Sequence, residues 1–228
     1  MKENKIAVII AEGGSEKTFL TGLLQSTYSF TPITDKGPIC FKKEGGDQIW
    51  LFPVPHLGKI HAGGNNILLT EDPYIKAETV LLSHSHIYSK HPSIHYYVLT
   101  DTDGVPKEKI IEREKLIKEA SAKANIEYTT FEVHFPHQEI ETWFMAGVKD
   151  EFPHFSKTGG EELELVVNDL ENLIDPKEFM DKILNPSISG NRMDIGAQVG
   201  RYFDINKAKN KSPSFKRFIA SLEEKDLL

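Results

Sequence analysis

Two acidic motifs in this sequence directly follow apolar segments. Residues 5–11, KIAVIIA, lead into Glu12, and residues 94–100, IHYYVLT, lead into Asp101 and Asp103. Short apolar runs rich in β-branched and aromatic residues predict strands that are buried on both faces of a sheet. Because parallel strands end at the same edge of a sheet, we expect the three carboxylates to converge if the two strands are neighbours.

Three converging carboxylates need compensation for their charge. Like charges at short distance in a low dielectric repel strongly, so either their pKa values rise or a divalent cation lies among them. Oxygen donors without a cysteine or an obvious histidine partner favour Mg²⁺ or Mn²⁺ over zinc. Gly13, Gly14 and Gly104 flank the acids and would let the backbone turn tightly beside a phosphate. A turn or a helix cap is the alternative role for such an Asp-x-Asp pair.

The order of the predicted elements indicates an α/β fold. The expected strands, which alternate with helical patterns, cover residues 5–11, 49–55, 94–100 and 126–135. Pro53 and Pro55 would confine the second of them to an edge of the sheet or to a strand end. From about residue 150 the patterns are helical only. We therefore predict a mostly parallel sheet in residues 1–148 and a helical C-terminal extension, residues 149–228, packed on it.

Several helix signals can be assigned to single residues. Ser15 is the expected N-cap of the helix after the first strand. The charged helix that follows the Asp-x-Asp motif is expected to turn Ile110, Leu116 and Ile117 inward. In the C-terminal part, Asp175 and Ser212 each precede a proline and are expected to cap helices.

Composition excludes several classes of protein. A single cysteine, Cys40, excludes an internal disulfide framework and a cysteine-rich zinc site. The sequence has no apolar run long enough to cross a membrane, and its apolar N-terminal segment is too short for a signal peptide. We therefore expect a cytoplasmic protein without a membrane partner.

The distribution of charge bears on nucleic-acid binding. The net charge of −7 argues against a general nucleic-acid coating protein, because phosphate binding needs concentrated Lys and Arg. It is compatible with an enzyme in which metal ions supply the positive charge. The last 37 residues are locally basic, which indicates either a solvated helical face or a phosphate-contacting one. The basic residues there include Arg192, Arg201, Lys207, Lys209, Lys211, Lys216 and Arg217.

At its acidic motifs the chain resembles a known family. IIAEGGSEKTFL (residues 9–20) is similar to the TOPRIM signature in which a glutamate ends the first strand, and VLTDTDG (residues 98–104) is similar to the second TOPRIM signature. EIETWFMA (residues 139–146) resembles a Glu-x-Glu-x-Trp helix, and SPSFKRF (residues 212–218) resembles a Ser/Cys-Pro-x-Phe-x-x-Phe motif. These two motifs are typical of a branch of small bacterial TOPRIM-like proteins of unassigned function, relatives of OLD-type nucleases.

The resemblance implies a TOPRIM-like Rossmannoid domain that holds Mg²⁺ or Mn²⁺ at Glu12, Asp101 and Asp103 and acts on phosphodiester bonds. Such a protein would be a nuclease or a nuclease subunit, in which the metals activate water and a glutamate serves as general acid or base. The resemblance also implies a nucleic-acid substrate. Because related proteins often occur beside ATPases in phage-defence or mobile-element loci, it further implies an ATPase partner.

The resemblance suggests additional site residues. Glu139 or Glu141 would complete a second metal site, and two helical residues at this spacing cannot point the same way. We prefer Glu139, at the start of the helix, and interpret Glu141 as a surface residue. Some nuclease members also carry a lysine near the site. The candidates, which the sequence does not rank, are Lys17, Lys59, Lys207, Lys209 and Lys211.

Two alternative interpretations stay open. A noncatalytic TOPRIM-type adaptor would use the same acids to bind an ion for structure or for recognition of a partner. A haloacid-dehalogenase-type phosphatase would use Asp101 as its nucleophile and Asp103 as acid and base. That motif normally lies near the N-terminus, and the phosphatase interpretation leaves Glu12 unexplained.

Overall fold

The computed structural model of the protein describes residues 4–34, 38–44, 47–54, 67–84, 92–102, 104–187 and 191–228. Three residues named above, Pro55, Lys59 and Asp103, lie outside these ranges. None of the helices within them combines the length and the apolar character that a membrane crossing requires.

The strands in the described part of the chain form one six-stranded sheet. They are β1 (Lys5–Ala11), β2 (Thr31–Pro32), β3 (Ile39–Lys42), β4 (Gln48–Pro53), β5 (Ser93–Leu99) and β6 (Thr130–His134). Their order across the sheet is β2-β3-β4-β1-β5-β6. β1 pairs in parallel with β4 and β5, and β5 pairs in parallel with β6, whereas β2 and β3 add antiparallel pairs at one edge. The sheet is mostly parallel, as predicted.

Helices follow most of these strands and make up the C-terminal region. They are α1 (Gly14–Ser26), α2 (Asp72–Ser83), α3 (Lys107–Lys123), α4 (Ile140–Gly147), α5 (Gly159–Val166), α6 (Pro176–Ile183), α7 (Arg192–Arg201), α8 (Ile205–Lys211) and α9 (Pro213–Glu224). The predicted α/β fold with a helical C-terminal region is therefore confirmed.

The central strand β1 is buried on both faces, which explains its uninterrupted apolar sequence. Ala7 and Ile9 belong to the core on one face, together with apolar residues of α1, α4 and the C-terminal helices. Ile6, Val8 and Ile10 belong to the core on the other face, which α2 and α3 cover. All five side chains are at most 1% exposed. Alternate residues of one strand thus support two separate layers of helices.

The C-terminal helices share the first of these cores rather than building one of their own. α7 lies so close to α1 that a Cβ atom on Gly200 would be 2.4 Å from the carbonyl oxygen of Phe19. The ring of Phe203 lies 5.0 Å from that of Phe19, and the indole N–H of Trp143 donates to Ser214 Oγ at 2.9 Å. This packing fixes α1 between the sheet and the C-terminal region.

Local signals proved accurate at some element ends and wrong at others. The predicted caps are confirmed, because Asp175 Oδ1 accepts a hydrogen bond from the Glu178 amide at 2.8 Å and Ser212 Oγ accepts one from the Phe215 amide at 3.2 Å. Pro53 is the last residue of β4, so it lies at a strand end although the strand itself is internal.

Two expectations about helices are wrong. The first helix begins at Gly14 with Gly13 in the cap position, so Ser15 is not the cap. Leu116 is 38% exposed, whereas Ile117, which was also predicted to face inward, is buried together with Ala120. On a helix with so many charged residues, the apolar positions alone did not define the inward face.

Candidate functional site

The strands β1 and β5 lie side by side, but the chain continues from them toward opposite sides of the sheet. After β1 it crosses through α1 toward the side of β4, and after β5 it crosses through α3 to β6. In open α/β sheets, ligands bind outside the carboxyl ends of two such strands. We call this region, beyond the ends of β1 and β5, the switch-point crevice.

The structure brings Glu12 and Asp101 to this crevice. Ala11 pairs with Leu99 across the two parallel strands, and the Glu12 amide donates to the Leu99 carbonyl at 3.0 Å. The two strands are therefore neighbours, which was the condition for the expected convergence of the carboxylates. Of the predicted glycines, Gly13 follows Glu12 directly, and Gly104 adopts a φ of +66°, which glycine reaches without strain.

Among the described residues, Thr100 and Arg113 contact the carboxylate of Glu12. Thr100 Oγ1 donates to Glu12 Oε2, and the NH2 group of Arg113 lies 3.2 Å from both carboxylate oxygens. The NH1 group of Arg113 donates to the carbonyl oxygen of Asp101 at 2.9 Å. Arg113 on α3 thus joins the ends of β1 and β5. No sequence signal identified it, because it stands among many charged residues of that helix.

Asp101 is half-buried, and its carboxyl group lies in a negative environment. Its Oδ1 atom is shielded from solvent, and no hydrogen-bond donor among the described residues reaches it. Burial raises the pKa of Asp101 well above its usual value, and the charges of Glu16 and Glu141 raise it further, while Lys177 opposes them. A bound cation would satisfy this oxygen and reverse the effect of burial on the pKa.

Glu16 is a member of the site that the sequence analysis missed. Its side chain is 4% exposed, and burial followed by the charges of Glu141 and Glu12 raises the pKa of Glu16 to about 7. A Cβ atom at position 13 would lie 2.5 Å from Glu16 Oε2, so Gly13 provides room for this carboxylate. The available signal was its position one helical turn after Glu12, in the first turn of α1.

Glu139 and Glu141 are both placed by the start of α4, but in different environments. Glu141 is 1% exposed, so its interpretation as a surface residue is wrong. The whole of α4 is buried between the sheet and the C-terminal helices, and no face of it was available for a surface residue. Glu139 is the N-cap of α4, and its carboxylate lies 2.7 Å from Lys177 Nζ and accepts a hydrogen bond from the Lys177 amide at 3.2 Å.

Gln138, just before the N-cap of α4, has a strained backbone conformation and contacts the loop after β5. Gln138 has a φ of +58°, in the left-handed region that costs energy for a residue with a side chain. Its carbonyl oxygen accepts a hydrogen bond from the Thr102 amide at 3.0 Å. The loops after β5 and β6 are thereby connected, which brings Glu139 and Glu141 toward Asp101.

Lys177, which was not among the candidates from the sequence, lies close to the acidic residues. Burial lowers the pKa of Lys177, but the hydrogen bond to Glu139 and the negative charges of Glu141, Glu139 and Asp101 outweigh this effect, so the pKa is raised overall. Lys17 lies on α1, half-buried. The other described candidates form intramolecular contacts, namely Lys207 with Asp150 at 2.6 Å, Lys209 with Glu223 at 2.6 Å, and Lys211 with Asn168.

The contacts of Lys207 also show where these C-terminal lysines lie. Lys207 Nζ donates to the carbonyl oxygen of Val148 at 3.1 Å, just beyond the last residue of α4. Glu139 precedes the first residue of the same helix. The structure therefore places Lys207 at the end of α4 opposite to the switch-point crevice.

The donor chemistry of the crevice fits a hard divalent cation. We use the name acidic cluster for Glu12, Glu16, Asp101 and Glu141, whose charges act on one another in the pKa shifts described above. Carboxylate oxygens are the ligands that Mg²⁺ and Mn²⁺ prefer. Within the described residues, which leave out Asp103, no three Asp, Glu, His or Cys side chains form a ready-made metal-binding group.

Fold and site together define an α/β protein with a buried acidic cluster at the switch point of a mostly parallel sheet. The chain belongs to the family described as a domain of unknown function, DUF4276, whose model matches residues 11–223. No curated protein matches it. Among solved structures it is similar to the crystal structure of a hypothetical protein from Pyrococcus horikoshii OT3, with 13% identity, a TM-score of 0.40, and coverage of 98% of this chain and 96% of the other.

Proposed function

We propose that the switch-point crevice holds a divalent cation, Mg²⁺ or Mn²⁺, and that the protein hydrolyses phosphodiester bonds of a nucleic acid. The protein would act as a nuclease or as a subunit of one. The observation that carries this proposal is the buried Oδ1 atom of Asp101, which no donor among the described residues satisfies. A buried carboxylate beside other carboxylates is costly unless it is protonated or a cation compensates it.

The residues of the site have distinct roles in this proposal. Asp101 and Glu12 hold the cation, with Asp103 as the third ligand that the sequence motif suggests. When bound, the cation would stabilise the negative charge that develops on the phosphoryl oxygens. Glu16, with its pKa raised to about 7, can accept or release a proton near neutral pH, which suits a general base or acid.

Glu139 and Glu141 have different roles in this proposal, one structural and one as a metal ligand. Lys177 holds Glu139 by an ion pair and a backbone hydrogen bond, so Glu139 positions the start of α6 against α4. Glu141 is the better candidate for a metal ligand, since it is buried and its charge raises the pKa values of Asp101 and Glu16. We therefore favour Glu141 over Glu139 for a second metal site.

A nucleic-acid substrate, an ATPase partner and a cytoplasmic location belong to the same proposal. They are supported by the TOPRIM resemblance of residues 9–20 and 98–104, and the location also by the single cysteine. Lys207 and Lys209 add no support for the substrate, because both form ion pairs within the protein.

The test is cleavage of plasmid DNA and of labelled single-stranded DNA and RNA by the purified protein, with Mg²⁺, with Mn²⁺ or with a chelator. We expect cleavage only with a divalent cation. Asp101→Asn should reduce it by about two orders of magnitude or more, as when one electrostatic group of a transition state is removed. Asp150→Asn is the matched control, because the side chain of Asp150 is 80% exposed and belongs to a surface ion pair. Full activity of Asp101→Asn would contradict the proposal.

One observation favours a second candidate, a noncatalytic module that binds an ion or a partner. The carboxylate of Glu12 already has a cation beside it, because the guanidinium of Arg113 contacts both of its oxygens. Cation binding without cleavage of any of the substrates, in the presence and absence of an ATPase partner, would support this second function.

A further inference from the structure

Arg113 occupies a position that connects both halves of the switch-point crevice. One terminal nitrogen lies 3.2 Å from each oxygen of Glu12, and the other donates to the carbonyl oxygen of Asp101 at 2.9 Å. The side chains of Arg113 and Glu12 are 16% and 14% exposed. The ion pair is therefore largely shielded from water. Charge-assisted hydrogen bonds are strong in such an environment.

A guanidinium in this place competes with any other cation for Glu12. Arginine keeps its charge at every accessible pH, so it cannot leave by losing a proton. A divalent cation on Glu12 would be repelled by a guanidinium at the same oxygens. Close binding of both to one carboxylate is electrostatically unfavourable, so cation binding includes the cost of weakening the Arg113–Glu12 pair.

The contact with Asp101 is of a different kind. Here Arg113 donates to a backbone carbonyl oxygen, whereas the proposed ligands of the cation are side-chain carboxylates. This hydrogen bond can persist when the contact with Glu12 is broken. Of these contacts of Arg113 at the crevice, the one with the Asp101 carbonyl is independent of the cation and the one with Glu12 is exchanged for it.

We propose that Arg113 is a positioning residue that neutralises and orients Glu12 in the cation-free protein and that a divalent cation displaces it from this carboxylate. Its hydrogen bond to the Asp101 carbonyl retains the guanidinium at the crevice after the exchange. The inference rests on the cation site of the proposed function, but it concerns binding and does not depend on cleavage.

The experiment measures Mn²⁺ affinity of the full chain by electron paramagnetic resonance, without nucleic acid. Arg113→Met should bind Mn²⁺ about tenfold more tightly than the wild type, because hydrogen bonds to charged groups contribute on this scale. Arg113→Gln, which keeps a donor for the Asp101 carbonyl, should shift the affinity in the same direction and serves if the methionine variant does not fold. Arg113→Lys, which keeps the charge, should stay within about threefold of the wild type.

Two controls separate exchange from a general effect of charge. Arg217→Met removes an exposed arginine of α9 and should leave the Mn²⁺ affinity unchanged. In a Glu12→Gln background, Arg113→Met should change the affinity by less than about twofold, because the pair that it breaks is already absent. A gain of equal size in both backgrounds would show that Arg113 acts through long-range charge and not through Glu12.

The results distinguish this inference from the proposed function. Tighter Mn²⁺ binding by the Arg113 variants, together with no cleavage of any substrate by the wild type with or without an ATPase partner, would support the exchange and refute the nuclease. Unchanged or weaker Mn²⁺ binding by Arg113→Met and Arg113→Gln, in a wild type that cleaves nucleic acid, would overturn the exchange alone. Failure of the wild type and of all variants to bind Mn²⁺ would overturn both.

Discussion

Replacing Glu16 by glutamine should stabilise the protein strongly at pH 8 and only slightly at pH 5. Burial and neighbouring carboxylates raise the pKa of Glu16 from 4.5 to about 7 in the folded protein. The folded state therefore holds the proton more tightly than the unfolded state does. The stability that this proton confers is complete below pH 4.5, is lost as the pH rises from 4.5 to 7, and is absent above that range.

The expected size follows from the difference between the two pKa values. One unit corresponds to about 1.4 kcal/mol, so a fully ionised Glu16 costs the fold about 3 kcal/mol. Between pH 5 and pH 8 the cost changes by about 2.5 kcal/mol. Glutamine has nearly the shape of the protonated acid and does not titrate. Relative to the wild type, the free energy of unfolding of Glu16→Gln should therefore rise by about 2.5 kcal/mol between the two pH values.

The assay is urea denaturation of both proteins at pH 5 and pH 8 in a chelator, so that no divalent cation neutralises the acidic cluster. Glu108→Gln is the matched control, since Glu108 occupies the first turn of α3 and is exposed. It should show no comparable dependence on pH. If Glu16→Gln and the wild type differ by the same amount at both pH values, Glu16 does not lie buried beside other carboxylates, and the electrostatic argument for the site is refuted.

Two further substitutions test how the scaffold is held. Gly200→Ala should lower the free energy of unfolding by about 2 kcal/mol or more in urea denaturation, because its Cβ would lie 2.4 Å from the Phe19 carbonyl oxygen and force α7 away from α1. Gly160→Ala, whose nearest atom would be 3.7 Å away, should not destabilise the protein, and equal losses would contradict the close helix contact. Ser212→Ala should lower the free energy of unfolding by about 1 kcal/mol because the cap of α9 is lost. Ser187→Ala, at an exposed position, should lower it little, and thermal unfolding of both variants provides the comparison.

Much of the fold could be predicted because its signals are local. The strands β1 and β5 are continuous apolar runs, and the caps at Asp175 and Ser212 lie within three residues of the amides that they satisfy. Short elements gave weaker signals. The strands β2 and β3, of two and four residues, and the helices α7 and α8 were not predicted, because their sequences are too short or too polar to show a clear period.

The candidate site was predictable only in part. Glu12 and Asp101 could be paired because each directly follows an apolar strand, and parallel neighbours end at one edge. Glu141 was misjudged because the two-residue spacing shows only that the side chains of Glu139 and Glu141 point in different directions. It does not show which of the two side chains faces the core. Lys177 was missed because α6, on which it lies, reaches the crevice only through the packing of α4 and α6.

By itself, the sequence determined where the chain extends, where it turns and that two carboxylates stand at strand ends. These properties depend on residues a few positions apart, whose sterics and polarity act before the chain is folded. Only the tertiary structure decided what surrounds those carboxylates. Arg113 meets Glu12 from 101 positions away, and the burial that raises the pKa values of Asp101 and Glu16 exists only once the sheet and its helices have closed around them.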